Sequence, residues 1–341
     1  MPSPILIATN VFDPHADVIA NMLTRRGFPP HMLHLGDLPL QGTLNTRLDK
    51  SAAWSTKITT RRGTIDLADV RAVWWRKVSP FTASPWLPAN EKIFVEREGT
   101  AALRGTWEAL EAARGDIYWM SHPSRQRAAA SKIEQLQRAI TLGFNVPKTL
   151  VSSDPDCVRA FYDDCDGDMI HKSMTVGVIG AFHFGDQPHP SPEKTGPLLT
   201  TARVTDVLLR QLDSVTLVPG LFQELVPKRY ELRVTVIDEQ VFTAAVYSQA
   251  DERTSMDWRT DPTLDIPWVA ASLPDELAER CLEMVRGYGL TFGAFDFIVT
   301  PEGEHVFLEM NPNGQWMFVQ ERVPELRMAQ ALVDVLIAKS R

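Results

Sequence analysis

Cysteine is scarce in this 341-residue sequence: Cys157, Cys165 and Cys281 are odd in number and have neither a disulfide framework nor zinc-ligand spacing. That excludes a disulfide-stapled secreted scaffold and fits a reducing cytoplasm. Long apolar runs are missing, so no membrane span is expected. Met1-Pro2-Ser3-Pro4 carries no basic flank, and the apolar run Ile5 to Ala8 is too short for a signal peptide. Positive charge is not in excess; the formal net charge of −8 argues against a general binder of nucleic acid or anionic membrane. The eight histidines have no metal-ligand spacing, and His122 and His171 read as structural. There is no internal repeat, no Ser/His/Asp or Cys/His constellation, and no P-loop consensus.

What is present is an ordinary globular composition, 44% hydrophobic and 23% charged, on a chain long enough for two or three structural units. Ile5 to Thr9, a periodic segment Pro14 to Arg26 and His31 to Leu35 read as strand, helix and strand, a βαβ opening of doubly wound type. Residues 40–66 read as an irregular or hairpin stretch, Val70 to Val78 as a strand, Asn90 to Arg114 as a long helix, and Ile117 to Met120 as the close of a first unit, residues 1–120. A second unit, 121–218, opens with a helix Ser124 to Leu142 whose apolar side carries Ile133, Leu136, Ile140 and Leu142, with Gly143 as its stop. Strands are expected at Lys148 to Val151, Met169 to Ser173 and Leu198 to Val204, a helix at Pro155 to Asp163, and a loop at Phe184 to Gly196. A third unit, 219–341, holds strands at Leu221 to Leu225, Tyr230 to Ile237 and Val241 to Ser248, a polar loop over 250–265, a helix over 274–287, a hairpin, and a last helix Val323 to Lys339.

The hairpin carries the sharpest signal. Phe292 to Val299 and His305 to Asn311 read as two strands around Pro301-Glu302-Gly303-Glu304. A hairpin centred there pairs Val299 with Glu304 and His305 and sets Asp296 opposite Glu309. Alternation puts Asp296, Glu309 and Asn311 on one face, and Phe295, Phe297 and Met310 on the other. Like charges facing across a ladder repel, so the pair calls for a cation between them. An all-oxygen set suits Mg²⁺, which takes one or two carboxylates plus nucleotide phosphates. The alternative is an exposed acidic face.

Two lysines and one strand add to this. Lys132 lies on the helix opening the second unit. Lys172 ends an apolar strand that runs into the Gly177 and Gly180 segment, whose N–H groups can face an anion. In Gln223-Glu224-Leu225-Val226-Pro227-Lys228-Arg229-Tyr230-Glu231-Leu232-Arg233 two strands meet at Pro227. Glu231 and Arg233 face one side, where a mutual salt bridge would aim the guanidinium at a phosphate. Solvated lysines and a surface ion pair are the competing readings. Arg253 and Arg259, in the polar loop, suit a carboxylate or acyl phosphate as well as they suit solvent. Trp74, Trp75 and Arg76 read either as core with one buried ion pair or as substrate contacts.

In this order, the lysine helix, the strand lysine before a glycine loop, the Gln-Glu-Leu-Val hinge, the arginine strand and Asp…Glu-x-Asn resemble the ATP-grasp superfamily of carboxylate–amine ligases from about Ser121 to the C-terminus. A narrower resemblance, over nearly the whole chain, is to the microviridin-type or graspetide maturases of ribosomal peptides. It rests on Ala72-Val73-Trp74-Trp75-Arg76-Lys77, His122-Pro123, Ala130-Ser131-Lys132-Ile133-Glu134-Gln135-Leu136, Tyr230 to Val236 and Asn311-Pro312-Asn313-Gly314-Gln315-Trp316. Lys77 departs from the two-arginine form expected there, which leaves its role open.

The resemblance implies an α/β (α+β) ATP-grasp fold with an N-terminal Rossmann-like pre-ATP-grasp domain, a central domain and a C-terminal ATP-grasp domain. It implies ATP and Mg²⁺ as cofactors, with Lys132, Lys172 and Arg233 on the phosphates, Gln223, Glu224, Leu225 and Val226 at the adenine, Glu231 supporting Arg233, and Mg²⁺ on Asp296, Glu309 and Asn311. Arg233, Lys172, Arg253 and Arg259 become the candidate catalytic residues, and Trp75, Arg76, Gln315 and Trp316 candidate substrate contacts. The implied partner is a precursor peptide with leader and core, the leader docking as a helix, and the implied assembly is a homodimer. An ATP-grasp ligase of free amino acids or of a protein tail is the alternative within the fold. A nucleotide- or peptide-binding module without turnover is the alternative outside it.

Overall fold

The structure, a computed structural model, describes residues 4–50, 54–175, 201–259 and 265–341. The expected anion-facing loop with Gly177 and Gly180, the loop Phe184 to Gly196, the start of the Leu198 strand and residues 260–264 of the polar loop lie outside the described residues. Among the described residues no helix is long and apolar enough to cross a membrane.

The chain begins with β1 (Ile5–Thr9), α1 (Pro14–Arg25) and β2 (His31–His34). Asp13 starts α1 by accepting from the His15 N–H, with Pro14 preset for the first turn. The described residues of the stretch 40–66 form an antiparallel three-stranded sheet, β3 (Gly42–Arg47), β4 (Ser55–Thr60) and β5 (Gly63–Asp66). Next come β6 (Ala72–Trp75), α2 (Ala89–Ala113) and β7 (Tyr118–Met120). Strands β2-β1-β6-β7 form a parallel sheet covered on both faces, which is why β1 and β6 read as unbroken apolar runs. Ile5, Ile7, Ala72 and Trp74 face one core; Leu6 and Val73 face another with Trp107 and Leu110 of α2 and Ile58 and Ile65 of the small sheet.

The expected single helix from Ser124 to Leu142 is two, α3 (Pro123–Ala128) and α4 (Lys132–Thr141). Ser131 is extended, with φ −77° and ψ 108°, so Lys132 falls in the first turn of α4. The buried side also differs from the one expected: Gln135, Leu136 and Ala139 are inside, while Ile133 and Ile140 are half exposed. The break changes which face of the second segment meets the sheet.

Strands β8 (Thr149–Ser152), β9 (Met169–Lys172), β10 (Ala202–Arg203) and β11 (Gly220–Glu224), with α5 (Pro155–Asp164) and the single turn α6 (Asp206–Leu209), make a second sheet in the order β10-β9-β11-β8. The third sheet is antiparallel, in the order β14-β13-β12-β15-β16: β12 (Tyr230–Ile237), β13 (Gln240–Val246), β14 (Trp268–Ala271), β15 (Phe292–Val299) and β16 (His305–Asn311). One face packs Leu232, Val234, Phe295, Phe297, Phe307 and Met310 against α7 (Asp275–Gly287) and α4. The short helix α8 (Met317–Arg322) follows β16. The final helix α9 (Met328–Lys339) starts later than expected because Pro324–Leu326 forms a separate 3-10 turn, and it packs between the first and third sheets.

Candidate active site

Asp296 and Glu309 stand opposite each other on β15 and β16, and Val299 stands opposite His305. A uniform ladder cannot satisfy both pairings. The register shifts by one residue between Asp296 and Phe297, leaving Leu308 as the extra residue of a bulge. Gly303, at φ +91°, supplies the turn conformation that an L side chain resists. Phe295, Phe297 and Met310 are buried in the core, while Asp296, Glu309 and Asn311 lie towards the other face.

Arg233 on β12 is directly opposite Asp296, and its Nη1 donates to both carboxylate oxygens at 2.9 Å. The expected Glu231–Arg233 salt bridge is therefore absent. Residues two apart on a strand are separated by about 6.7 Å along the chain, whereas a directly opposed cross-strand pair sits about 5 Å apart. Glu231 instead takes Lys228 Nζ at 2.8 Å and the Ser248 hydroxyl at 2.7 Å. Burial lifts its carboxyl above the ordinary value, against the pull of Lys228.

Lys132 Nζ donates to the Ser173 carbonyl at 3.0 Å and lies 3.2 Å from Glu309 Oε2. Arg259 forks onto Asp257, with Nε and Nη2 at 2.8 and 2.9 Å, and its Nη1 is 3.6 Å from Glu309 Oε1. That fork raises the pKa of Arg259. Burial pulls Lys172 down to about 8, partly countered by Glu309. Burial works to raise Glu309, yet Lys132, Arg259 and Lys172 together hold it below the usual carboxylate range. Four cations, Lys132, Lys172, Arg233 and Arg259, thus surround three carboxylates, Asp257, Asp296 and Glu309, leaving one positive charge in excess. Such a cluster accepts a polyanion, and its ionised oxygens on one face suit a hard divalent cation carried with it.

At the hinge, the Glu224 N–H is taken by the Lys148 carbonyl and the Leu225 N–H by the Asp168 carbonyl. Val226 N–H has no hydrogen-bond partner among the described residues. Gln223 is buried and donates to the Thr149 hydroxyl at 3.0 Å, which places it behind the hinge.

The chain is similar over 99% of its length to 97% of a RiPP-associated ATP-grasp ligase from Chryseobacterium gregarium, solved in complex with ADP and a leader and core peptide, with a TM-score of 0.85 and 27% identity. By fold it is an ATP-grasp ligase. The macrocyclase MdnB from Microcystis aeruginosa MRC matches with a TM-score of 0.78 and 28% identity, covering 98% of this chain and 99% of that one. The macrocyclase MdnC of the same organism, bound with precursor peptide MdnA, matches with a TM-score of 0.81 at 24% identity, over 98% and 99% of the two chains. No protein-family profile and no curated protein matches the sequence.

Two expected substrate contacts of this ATP-grasp ligase are withdrawn by burial. Arg76 is 2% exposed: Nη1 donates to the Asn313 carbonyl and side-chain oxygen at 3.0 Å, and Nε lies 3.6 Å from Asp13. It ties the end of β6 to the loop after β16, the buried ion pair that was the competing reading. Trp316 is 0% exposed, edge-on to His15 in the core. Trp75 is half-buried against Trp107, and Gln315 is exposed, with its carbonyl accepting from Arg233 at 3.3 Å. Arg253 is largely exposed and forks onto Asp251. Asp257 and Lys228 were not singled out as site residues in the sequence; an acid or a lysine two or three residues from its partner was the available signal.

Proposed function

We propose that the protein uses ATP to activate Asp or Glu side-chain carboxylates of a ribosomal precursor peptide and closes them into ester or amide macrocycles. The observation that carries this is the excess-positive cluster around the opposed carboxylates Asp296 and Glu309. A carboxylate oxygen of the peptide bonds to the γ-phosphorus and ADP leaves. A Ser or Thr hydroxyl or a Lys amine then bonds to the acyl carbon, phosphate leaves, and the nucleophile's proton is released. Similarity to a ligase solved with ADP, leader and core peptide, and to a macrocyclase, supports the peptide as substrate.

Lys132, Lys172 and Arg259 hold the phosphates as they turn from Glu309 to the incoming anion, and Arg233 lies beside the transferring group. Val226 N–H meets the adenine edge. Asp296, Glu309 and Asn311 would hold Mg²⁺, which when bound neutralises charge on the phosphates during transfer. The donor set fits: it is all oxygen, on one face, and Glu309 is kept ionised. We assign Arg253 and Gln315 to the peptide side of the site, the protein to the cytoplasm, and its assembly to a homodimer.

The test is incubation of the protein with ATP, Mg²⁺ and a precursor peptide carrying a leader and Thr/Glu or Lys/Asp clusters. Loss of one water per ring in the peptide mass, with ADP formed in step, is expected. ADP release driven by free amino acids without any precursor would replace this reading with that of an amino-acid ligase.

A further inference from the structure

β16 carries two of the three oxygen ligands assigned to Mg²⁺, yet it is the edge strand of its sheet. An edge strand has nothing on its outer side to hold register, and a slip of one residue turns every side chain to the opposite face. Here the register is already irregular. Below the bulge the ladder runs Phe297–Phe307, Ile298–Val306 and Val299–His305; above it Asp296–Glu309, Phe295–Met310 and Ala294–Asn311. Without the bulge the lower ladder would continue to Asp296–Leu308 and Phe295–Glu309. Glu309 would then turn towards the Phe295 and Phe297 face.

The outer edge is held at two points that bracket the bulge. Phe307 N–H donates to the Asn145 carbonyl at 2.8 Å. At Met310 the partner is a side chain: Gln135 Oε1 accepts from the Met310 N–H at 2.8 Å, and Gln135 Nε2 donates to the Met310 carbonyl at 2.7 Å. Gln135 is 3% exposed, and its Nε2 also donates to the Ala129 carbonyl, which fixes the amide in place. One primary amide thus supplies both bonds a missing neighbouring strand would make. It does so from α4, one turn after Lys132, whose Nζ lies 3.2 Å from Glu309.

We propose that Gln135 is a positioning residue for the metal-carrying strand: its two-point clamp on Met310 holds the Leu308 bulge in register, so that Glu309 and Asn311 face the nucleotide. The inference rests on the assignment of Mg²⁺ to Asp296, Glu309 and Asn311. The adenine hinge follows β11, in another sheet, and does not depend on the clamp. Loss of the clamp therefore separates metal-dependent from metal-independent nucleotide binding.

The experiment compares wild type with Gln135→Met, which keeps length and helix propensity and loses both bonds. ADP is titrated by calorimetry with and without Mg²⁺, and amide exchange is followed across residues 305–311. The metal-free Kd for ADP is expected to stay within about twofold, while the gain in affinity from Mg²⁺ falls about tenfold or more, as for other groups that orient metal ligands. Exchange should quicken at Glu309 to Asn311 and remain as in wild type on β12. An undiminished Mg²⁺ gain in Gln135→Met, beside a responsive wild type, overturns the clamp alone. An equal loss of affinity with and without Mg²⁺ also overturns it, because the effect is then general. A wild type indifferent to Mg²⁺ overturns the metal assignment and the inference with it. If Gln135→Met does not fold, Gln135→Glu keeps the acceptor for the Met310 N–H and loses the donor; the same comparisons then apply, with a smaller loss expected.

Discussion

Arg233 and Asp296, 63 residues apart in the chain, meet across β12 and β15 with one guanidinium nitrogen 2.9 Å from both carboxylate oxygens. Both side chains are largely buried, so removing one strands the other. Asp296→Asn is expected to lower unfolding stability by about 3–5 kcal/mol, read from denaturant melts. The paired change Arg233→Met with Asp296→Leu should recover most of that loss while ADP formation stays abolished. Continued loss in the double variant would show that the pair acts through something other than mutual charge compensation.

Glu309→Gln removes the charge that Lys132, Lys172 and Arg259 share. Precursor-dependent ADP formation should fall at least about a hundredfold, the scale for losing one aligned electrostatic group in a closed site. ADP formation by Glu309→Gln within tenfold of wild type would remove Glu309 from the metal site.

Lys172 lies at about 8 because burial disfavours its charge. Between that value and the ordinary 10.5 the unfolded chain binds the extra proton, so stability rises with pH across this window. The strain of the buried charge is present in full below about pH 8 and gone above 10.5. Lys172→Met should therefore melt higher than wild type at pH 7, converge with it near pH 10.5, and bind ADP more weakly throughout. Parallel melting curves at all pH values would refute the assigned pKa.

A methyl group at Gly314 would lie 2.4 Å from the Ala294 side chain and 3.1 Å from Arg233 Nη2. Gly314→Ala is expected to destabilise by about 1–3 kcal/mol and to cut activity by displacing Arg233. Adding Ala294→Gly removes the closer collision and should restore most of the stability, by melting, while ADP formation recovers less because the contact with Arg233 Nη2 remains. Failure of that rescue would place the fault elsewhere in the loop.

Much of the site was legible because strand periodicity acts over short distances. Alternation alone put Asp296 and Glu309 on one face and Phe295 and Phe297 on the other, and the structure has the same division. The Leu308 bulge was not legible, since nothing in His305 to Asn311 distinguishes a uniform ladder from one with an extra residue. Arg233's partner was misread for a related reason: Glu231 is near in sequence, but Asp296 is nearer across the ladder. Arg76 and Trp316 carried the right residue types for substrate contact, and only the tertiary structure shows that they are enclosed, Trp316 among α1 and α9 and Arg76 between Asp13 and the loop at Asn313 and Gly314. Gln135 could have been noticed as a polar residue among the apolar ones of α4, but the break at Ser131 hid which face was inside.

By itself the sequence determined the chemistry at hand: two carboxylates and an amide on one face of a hairpin, lysines on a helix and at a strand end, and an arginine strand. These follow from residue type and from periods of two and 3.6. The tertiary structure alone decided which charges compensate which, where the register shifts, and which polar groups are sealed in the core. Those outcomes depend on distances between segments far apart in the chain, which close packing sets to within an ångström and local periodicity does not constrain.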